Sequence, residues 1–148
     1  MSTDGGAWAI VVVNYGSSAL LEANLAATAA EAKPDIVVVV DTPTTVAERE
    51  RVRELAGREN WALVEPAVNT GFGGGVNLGV AAALEWGATA LLLLNPDARI
   101  GADSVDRLRA ATAGEFLALC APRIVTPSGT IWFAGADVSL SDGRTRGH

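Results

Sequence analysis

Residues 91–100 read LLLLNPDARI, and the reading of this stretch decides the fold. Four consecutive leucines mark a short β-strand that is apolar on both sides. Such strands belong to parallel sheets covered on both faces, whereas half-exposed strands alternate polar with apolar. The polarity then changes at once, to Asn95, Pro96 and Asp97. Pro96 disfavours helix at Asn95 and keeps that residue extended. Strand geometry is therefore expected to run on into the loop and to fix Asp97 at its rim.

The same kind of run recurs along the chain: AIVVV (9–13), IVVVV (36–40), WALV (61–64), ALLLL (90–94) and FLALCA (116–121). The first four begin 27, 25 and 29 residues apart, about one strand–helix–strand unit each. Helical patterns fill the intervals. Residues 17–32 are alanine-rich, with Leu20, Leu21, Leu25 and Thr28 assigned to one face. Residues 45–57 open on Thr45 with Glu48 three positions later, a capping box, and are expected to stop at Gly57. A third helix is expected from Val76 to Trp86, and a fourth over 103–113 with Val105 and Leu108 inward. Beyond residue 122, RIVTPSGTIWFAG predicts two short strands about a Pro-Ser-Gly turn. Within it Trp132 and Phe133 serve either as an aromatic edge or as packing. The fold class is α/β: an open, mostly parallel sheet with helices on both faces and a C-terminal hairpin-like segment, in one domain spanning 1–148.

Composition narrows the function. The 148 residues are 49% hydrophobic and 19% charged, a globular composition large enough for one core. The net charge of −6 and the absence of a basic patch argue against nucleic acid and against anionic membrane surfaces as partners. An acidic protein binds a phosphorylated ligand only if a cation or backbone N–H groups offset the like charge. The single cysteine, Cys120, reads as a buried core thiol, and no disulfide framework exists. The N-terminus lacks signal-peptide features, and no apolar run approaches the roughly 20 residues of a membrane helix. A cytoplasmic protein without a transmembrane segment is the expectation.

In an open parallel sheet the ligand crevice lies beyond the carboxyl ends of the strands. Those ends carry Asn14, Tyr15 and Gly16 after the first strand, and Asp41 after the second. NTGFGGGVNLG (69–79) follows the third after a short connection, and Asn95 to Asp97 follow the fourth. Asn, Asp and Gly are also ordinary turn residues, so it is their convergence on one edge that points to a ligand. The glycines do not form a dinucleotide fingerprint: the sixth position counted from Gly71 is Val76, and from Gly73 it is Leu78. No phosphate-binding loop ending in Gly-Lys-Ser/Thr is present either. Two uses of the glycines remain open, close approach of a nucleotide or sugar to bare backbone and a tight turn packed under the sheet. Asp97 has two uses as well. It caps a turn before the 103–113 helix, or it holds a magnesium or manganese ion whose remaining ligands are phosphate oxygens and waters.

Taken together, IVVVNYG, VVVVDTPT, NTGFGGGVNLGV, LLLLNPDARI and PRIVTPSGTIWFAGADVSL resemble the inverting, GT-A-fold glycosyltransferases of family 2, above all their bacterial rhamnosyltransferase-like branch. The resemblance runs over almost the whole chain. It implies nucleoside contacts from Asn14, Tyr15 and Asp41, and a nucleotide-sugar site lined by Gly71, Phe72, Gly73 and Asn77. It further implies that Asn-Pro-Asp stands for the family's Asp-x-Asp, with Asp97 the ligand of Mg2+ or Mn2+ and Asn95 a sugar or ribose contact. The implied donor is a UDP- or dTDP-sugar such as dTDP-rhamnose. The implied acceptor is a glycan or a lipid-linked glycan, with polysaccharide or cell-wall synthesis at the inner face of the plasma membrane as the setting. Two departures stand out. The family's Asp-Asn-x-Ser is here Asp41, Thr42, Pro43, Thr44, and the acceptor-binding half with its acidic general-base segment is not in this sequence. Asp137, Asp142 and His148 do not match that base pattern, so the chain reads as a donor-binding part with no identifiable catalytic base. A non-catalytic nucleotide-sugar-binding module and another Rossmann-like nucleotide enzyme are the alternatives.

Overall fold

The computed structural model describes residues 6–115, 118–139, 141–142 and 144–147. The chain divides into two units, residues 1–102 and 103–148. In the first, β1 (Ala7–Asn14), β2 (Ile36–Asp41), β3 (Ala62–Val64) and β4 (Ala88–Leu94) form one parallel sheet in the order β3-β2-β1-β4. The first four strands read from the sequence are thus present, each within two residues of its expected start.

Between β1 and β2 runs a helix whose middle turn is π-helical: α1 (Ser18–Leu20), the π-turn (Leu21–Leu25) and α2 (Ala26–Ala32). Leu21, Leu25 and Thr28 are buried, whereas Leu20 is 41% exposed, which corrects its assignment to the inward face. Successive helical residues lie about 100° apart, and the core takes the Leu21–Leu25–Thr28 line. Helix α3 (Val46–Glu59) is capped at Thr45, whose side chain accepts the Glu48 N–H at 3.2 Å. It passes through Gly57 and ends at Asn60, in the left-handed conformation at φ 57°. Asn tolerates that conformation well, so the stop lies three residues beyond the expected glycine.

Helix α4 (Gly71–Glu85) returns the chain to β4 across the opposite face. It starts five residues before the expected Val76, so the glycine stretch is helix rather than loop. Glycine at this position reflects close packing. A Cβ on Gly75 would lie 2.7 Å from Val13 Cγ1, and one on Gly79 would meet Val11 Cγ1 and stand 2.9 Å from Val40 Cγ2. With bare backbone against the sheet, Ala83 joins Ala9, Val11, Val38 and Val40 in a core layer. The other faces of β1 and β2 bury Trp8, Ile10, Val12, Val37 and Val39, and the helices flanking β2 bury Leu21, Leu25, Thr28, Val52, Leu55 and Ala56.

β4 is an edge strand among the described residues, and its leucines are not fully covered. Leu91 is 36% and Leu93 49% exposed, a correction to the fully buried strand expected there. They share the face of Ala9 and Val11 through the β1–β4 register, but α4 lies mainly over β1 and β2.

The second unit holds α5, which begins at the boundary (Ala102–Thr112), the antiparallel pair β5 (Ile124–Val125) and β6 (Ile131–Phe133), and the pair β7 (Ala136–Val138) and β8 (Thr145–Gly147). The expected hairpin is β5–β6, closed by a Thr126–Thr130 turn; Trp132 is exposed and Phe133 half-buried. Of the expected strand 116–121, Phe116 and Leu117 lie outside the described residues, and residues 118–121 form no strand. Apolar composition alone does not create a ladder partner, and Leu119 is 98% exposed. Cys120 is likewise exposed, correcting the buried thiol; its Sγ lies 3.8 Å from the Leu108 carbonyl oxygen.

Gly79→Ala is expected to destabilise the protein by about 2 kcal/mol, the scale of an overpacked core. Gly57→Ala, where an added Cβ has no neighbour within 4 Å, is expected to stabilise it by about 0.5–1 kcal/mol through helix propensity. Denaturant unfolding of the two variants checks both signs.

Candidate functional site

Because all four strands run in parallel, their carboxyl ends fall on one edge. The chain moves from β1 to β2 and β3 on one side and crosses back to β4 on the other, which leaves the switch in strand order between β1 and β4. Asn14 and Asp41 end β1 and β2 and are register partners. Asn95 and Asp97 follow β4, and the first turn of α4 opens at the same edge.

Asn14 and Asp41 are essentially inaccessible, 0% and 1% exposed. The Asn14 Nδ2 donates to Asp41 Oδ1 at 2.8 Å, and its Oδ1 accepts the Ser17 N–H at 3.2 Å. Thr42 donates both its N–H (2.9 Å) and its hydroxyl (2.6 Å) to the Asn14 carbonyl oxygen. The second Asp41 oxygen faces Arg49 of α3, whose Nε lies 3.5 Å from Oδ2 and whose Nη2 donates to the Asp41 carbonyl at 3.3 Å. The same Nε is 3.4 Å from Glu65 Oε1, directly after β3, and Arg53 Nε reaches that oxygen at 2.9 Å. Buried Arg49 Nε makes no well-directed hydrogen bond; it sits between two carboxylates at ion-pair distance. Charge thus alternates across the ends of β1, β2 and β3. Sequence reasoning misses Arg49, which lies eight residues past its strand. It passes over Glu65 as part of a connection, although the strand-end rule that selects Asp41 selects Glu65 equally.

The remaining candidates are exposed. Tyr15 is 63% and Phe72 62% exposed, and Gly71, Gly73, Asn77, Asn95 and Asp97 are also at the surface. Gly71, at φ +72°, adopts a conformation that favours glycine, and its N–H is accepted by Asn69 Oδ1 at 2.8 Å. The next N–H groups belong to the first turn of α4 and have no intrahelical acceptor, which makes this terminus attractive to an anion. Asn77 lies one turn beyond Gly73. At the end of β4 the chain does not stay extended: Ala98 N–H bonds the Asn95 carbonyl at 3.0 Å. Pro96 occupies the second position of that turn, where its fixed φ fits, and exposed Asp97 sits at the corner. Among the described residues no three or more His, Cys, Asp or Glu side chains gather as a metal cage. A lone exposed carboxylate fits an octahedral Mg2+ or Mn2+ completed by phosphate and water, and does not fit a closed protein site.

The segment behind Tyr15 is held by Glu48, whose Oε1 accepts the Ser18 N–H at 2.6 Å. The capping box is therefore half formed, since the carboxylate that would return to Thr45 is committed to another helix. Hydrogen bonds from the Ser18 side chain and backbone, with a smaller contribution from Arg51, hold the Glu48 carboxyl below its ordinary value of 4.5.

No family model matches the sequence, and no curated protein matches it. Solved structures share the fold. Staphylococcus aureus TarS 1–349 superposes with a TM-score of 0.55 at 20% identity, over 72% of this chain and 32% of that one. Its complex with UDP-GlcNAc gives 0.56 at 20%, over 72% and 31%. The mannosyltransferase PcManGT of Pyrobaculum calidifontis, in complex with GDP-Man and Mn2+, gives 0.59 at 23%, over 76% and 34%. The chain spans about a third of the length of these proteins. Its parallel sheet flanked by helices is the GT-A glycosyltransferase fold. No helix among the described residues is long and apolar enough to cross a membrane.

Asp41→Ala is expected to cost about 3 kcal/mol, because it leaves the Asn14 amide and the Arg49 guanidinium without their buried acceptor; chemical denaturation measures it. Glu48 gives a pH signature. Its folded value is depressed, so its contribution is fully present above pH 4.5 and is lost as the pH falls through the folded value. Glu48→Gln is expected to lose about 1 kcal/mol at pH 7, and the gap from the parent should close in unfolding curves taken progressively below pH 4.5.

Proposed function

We propose that this chain is the donor-binding part of an inverting glycosyltransferase that takes a UDP- or dTDP-sugar, dTDP-rhamnose among them, with Mg2+ or Mn2+. One observation carries the reading: a neutralised polar bridge (Asn14–Asp41) and an exposed carboxylate (Asp97) flank the switch between β1 and β4, with a bare helix N-terminus opening at the same edge. The fold likeness supports it, since two of the similar structures hold nucleotide sugars, one of them with Mn2+.

In this reading Tyr15 and Phe72 offer exposed rings to the nucleoside and sugar, while Asn14 and Asp41 set the shape of the nucleoside pocket. Gly71 and Gly73 let the diphosphate approach the N–H groups of α4, and Asn77 and Asn95 offer amides to ribose or sugar. Asp97 would hold the cation, which when bound supplies positive charge for the departing diphosphate. Inverting transfer also needs a base for the acceptor hydroxyl. Asp142, one of the two late carboxylates, is engaged in the β7–β8 hairpin with Arg144 at 3.4 Å, which favours a second reading of this chain as a nucleotide-sugar-binding module without transfer. A glycan or lipid-linked acceptor, met at the cytoplasmic face of a membrane, belongs to the transfer reading.

Calorimetric titration of UDP and dTDP with and without Mn2+ is the test. Binding is expected to tighten about tenfold or more with the ion and to lose that gain in Asp97→Ala, the scale of a disrupted metal site. Binding that ignores both the ion and Asp97 defeats the proposal. Sugar release from a UDP- or dTDP-sugar onto a glycan acceptor separates transfer from binding alone.

A further inference from the structure

Three side chains of the helical run between β1 and β2 converge on the loop that carries Asp97. Asn24, inside the π-turn, donates Nδ2 to the Pro96 carbonyl oxygen at 3.0 Å. Thr28 of α2, fully buried, accepts the Ile100 N–H on Oγ1 at 3.3 Å. Glu31 pairs with Arg99. Positions 24, 28 and 31 are spaced i, i+4 and i+7, so they form one stripe along the helix. Their partners are Pro96 inside the Asn95–Ala98 turn and Arg99 and Ile100 directly after it. In the Asn-Pro-Asp corner Asn95 and Asp97 are exposed, and Pro96 between them is half-buried beneath the Asn24 contact.

The details point the same way. A buried threonine on an otherwise apolar face is accounted for by the Ile100 N–H, which would otherwise lack a partner. A π-turn adds a residue to the helix and re-aims the side chains around it, a distortion that recurs at functional sites; here the amide it carries is the one that meets Pro96. A Mg2+ or Mn2+ ion demands ligand oxygens in near-octahedral positions, so a carboxylate on an unrestrained turn would bind it weakly.

We propose that Asn24, Thr28 and Glu31 are positioning residues that hold the 96–100 segment, and through it aim the Asp97 carboxylate at the cation. The metal half of the proposal rests on the donor-site reading above, whereas the strap itself does not.

Two measurements separate the halves. Amide hydrogen exchange on the ligand-free protein reads the strap directly. In Asn24→Leu and Thr28→Val, exchange at Ala98 and Ile100 is expected to rise about tenfold or more, with β1 and β2 amides unchanged. Glu31→Gln, at an exposed position that leaves the fold intact, is expected to raise it about twofold. Unaltered exchange at Ala98 and Ile100 in all three variants overturns the strap. Mn2+ binding in the presence of UDP, followed by electron paramagnetic resonance, reads the aim. Its dissociation constant is expected to rise about tenfold in Asn24→Leu while UDP affinity without the ion is unchanged. Equal losses with and without Mn2+ overturn the positioning role in favour of a general loosening. A parent protein that binds neither UDP nor Mn2+ overturns the metal half together with the donor-site reading, and the exchange rates then decide the strap alone.

Discussion

Parallel pairing of β1 with both β2 and β4 is the constraint from which the rest of the first unit follows. It delivers every strand terminus to the same edge, so the polar residues that end each apolar run become neighbours. That crowding carries a cost. An amide and a carboxylate removed from water lose on the order of 1–3 kcal/mol each if left unpaired. Here they offset each other, Asn14 against Asp41 across the β1–β2 register at 2.8 Å. Arg49 then neutralises the outer oxygen of Asp41 and links it to Glu65 beyond β3. The strand ends are locked before any ligand arrives, the preorganisation that a binding site needs.

The glycine-rich helix start divides into two physically different parts. Gly75 and Gly79 are where β1 and β2 side chains occupy the space a Cβ would take, so their absence of side chain is a packing requirement. Gly71 and Gly73 have nothing within 4 Å of a notional Cβ. Packing does not explain them, and what remains is open backbone at a helix N-terminus beside the switch point. The packing use left open by the sequence is therefore realised at Gly75 and Gly79, whereas Gly71 and Gly73 leave the bare backbone that the proposed nucleotide approach would use.

Hydrophobic runs and their spacing were enough to read four strands, their parallel direction and the edge where the polar strand ends gather. What they could not show was the covering of each element. Leu91 and Leu93 look as buried as Val38 and Val39 in sequence, but only the latter lie under helices on both sides. FLALCA has the composition of a strand without a described partner, and Leu20 is as apolar as the Leu21 beside it but sits a hundred degrees further round. Polar contacts were harder still. Asn14 and Asp41 were visible as strand ends, whereas Arg49 and Asn24 reach the edge from helices, through side-chain lengths and a π-turn that leave no periodic signature.

The charge of the edge bears on what it can hold. Among the described residues, the carboxylates that directly follow or end the strands are Asp41, Glu65 and Asp97. Asp41 is matched by Asn14 and Arg49, and Glu65 by Arg49 and Arg53, so neither presents net negative charge to a visitor. Asp97 pairs with no cationic side chain among the described residues and is exposed on its turn. A diphosphate approaching the N–H groups of α4 would meet one uncompensated carboxylate, a repulsion that a divalent cation converts into a shared ligand set. In a protein of net charge −6, that asymmetry is the physical reason for pairing a divalent cation with the nucleotide in the proposed function.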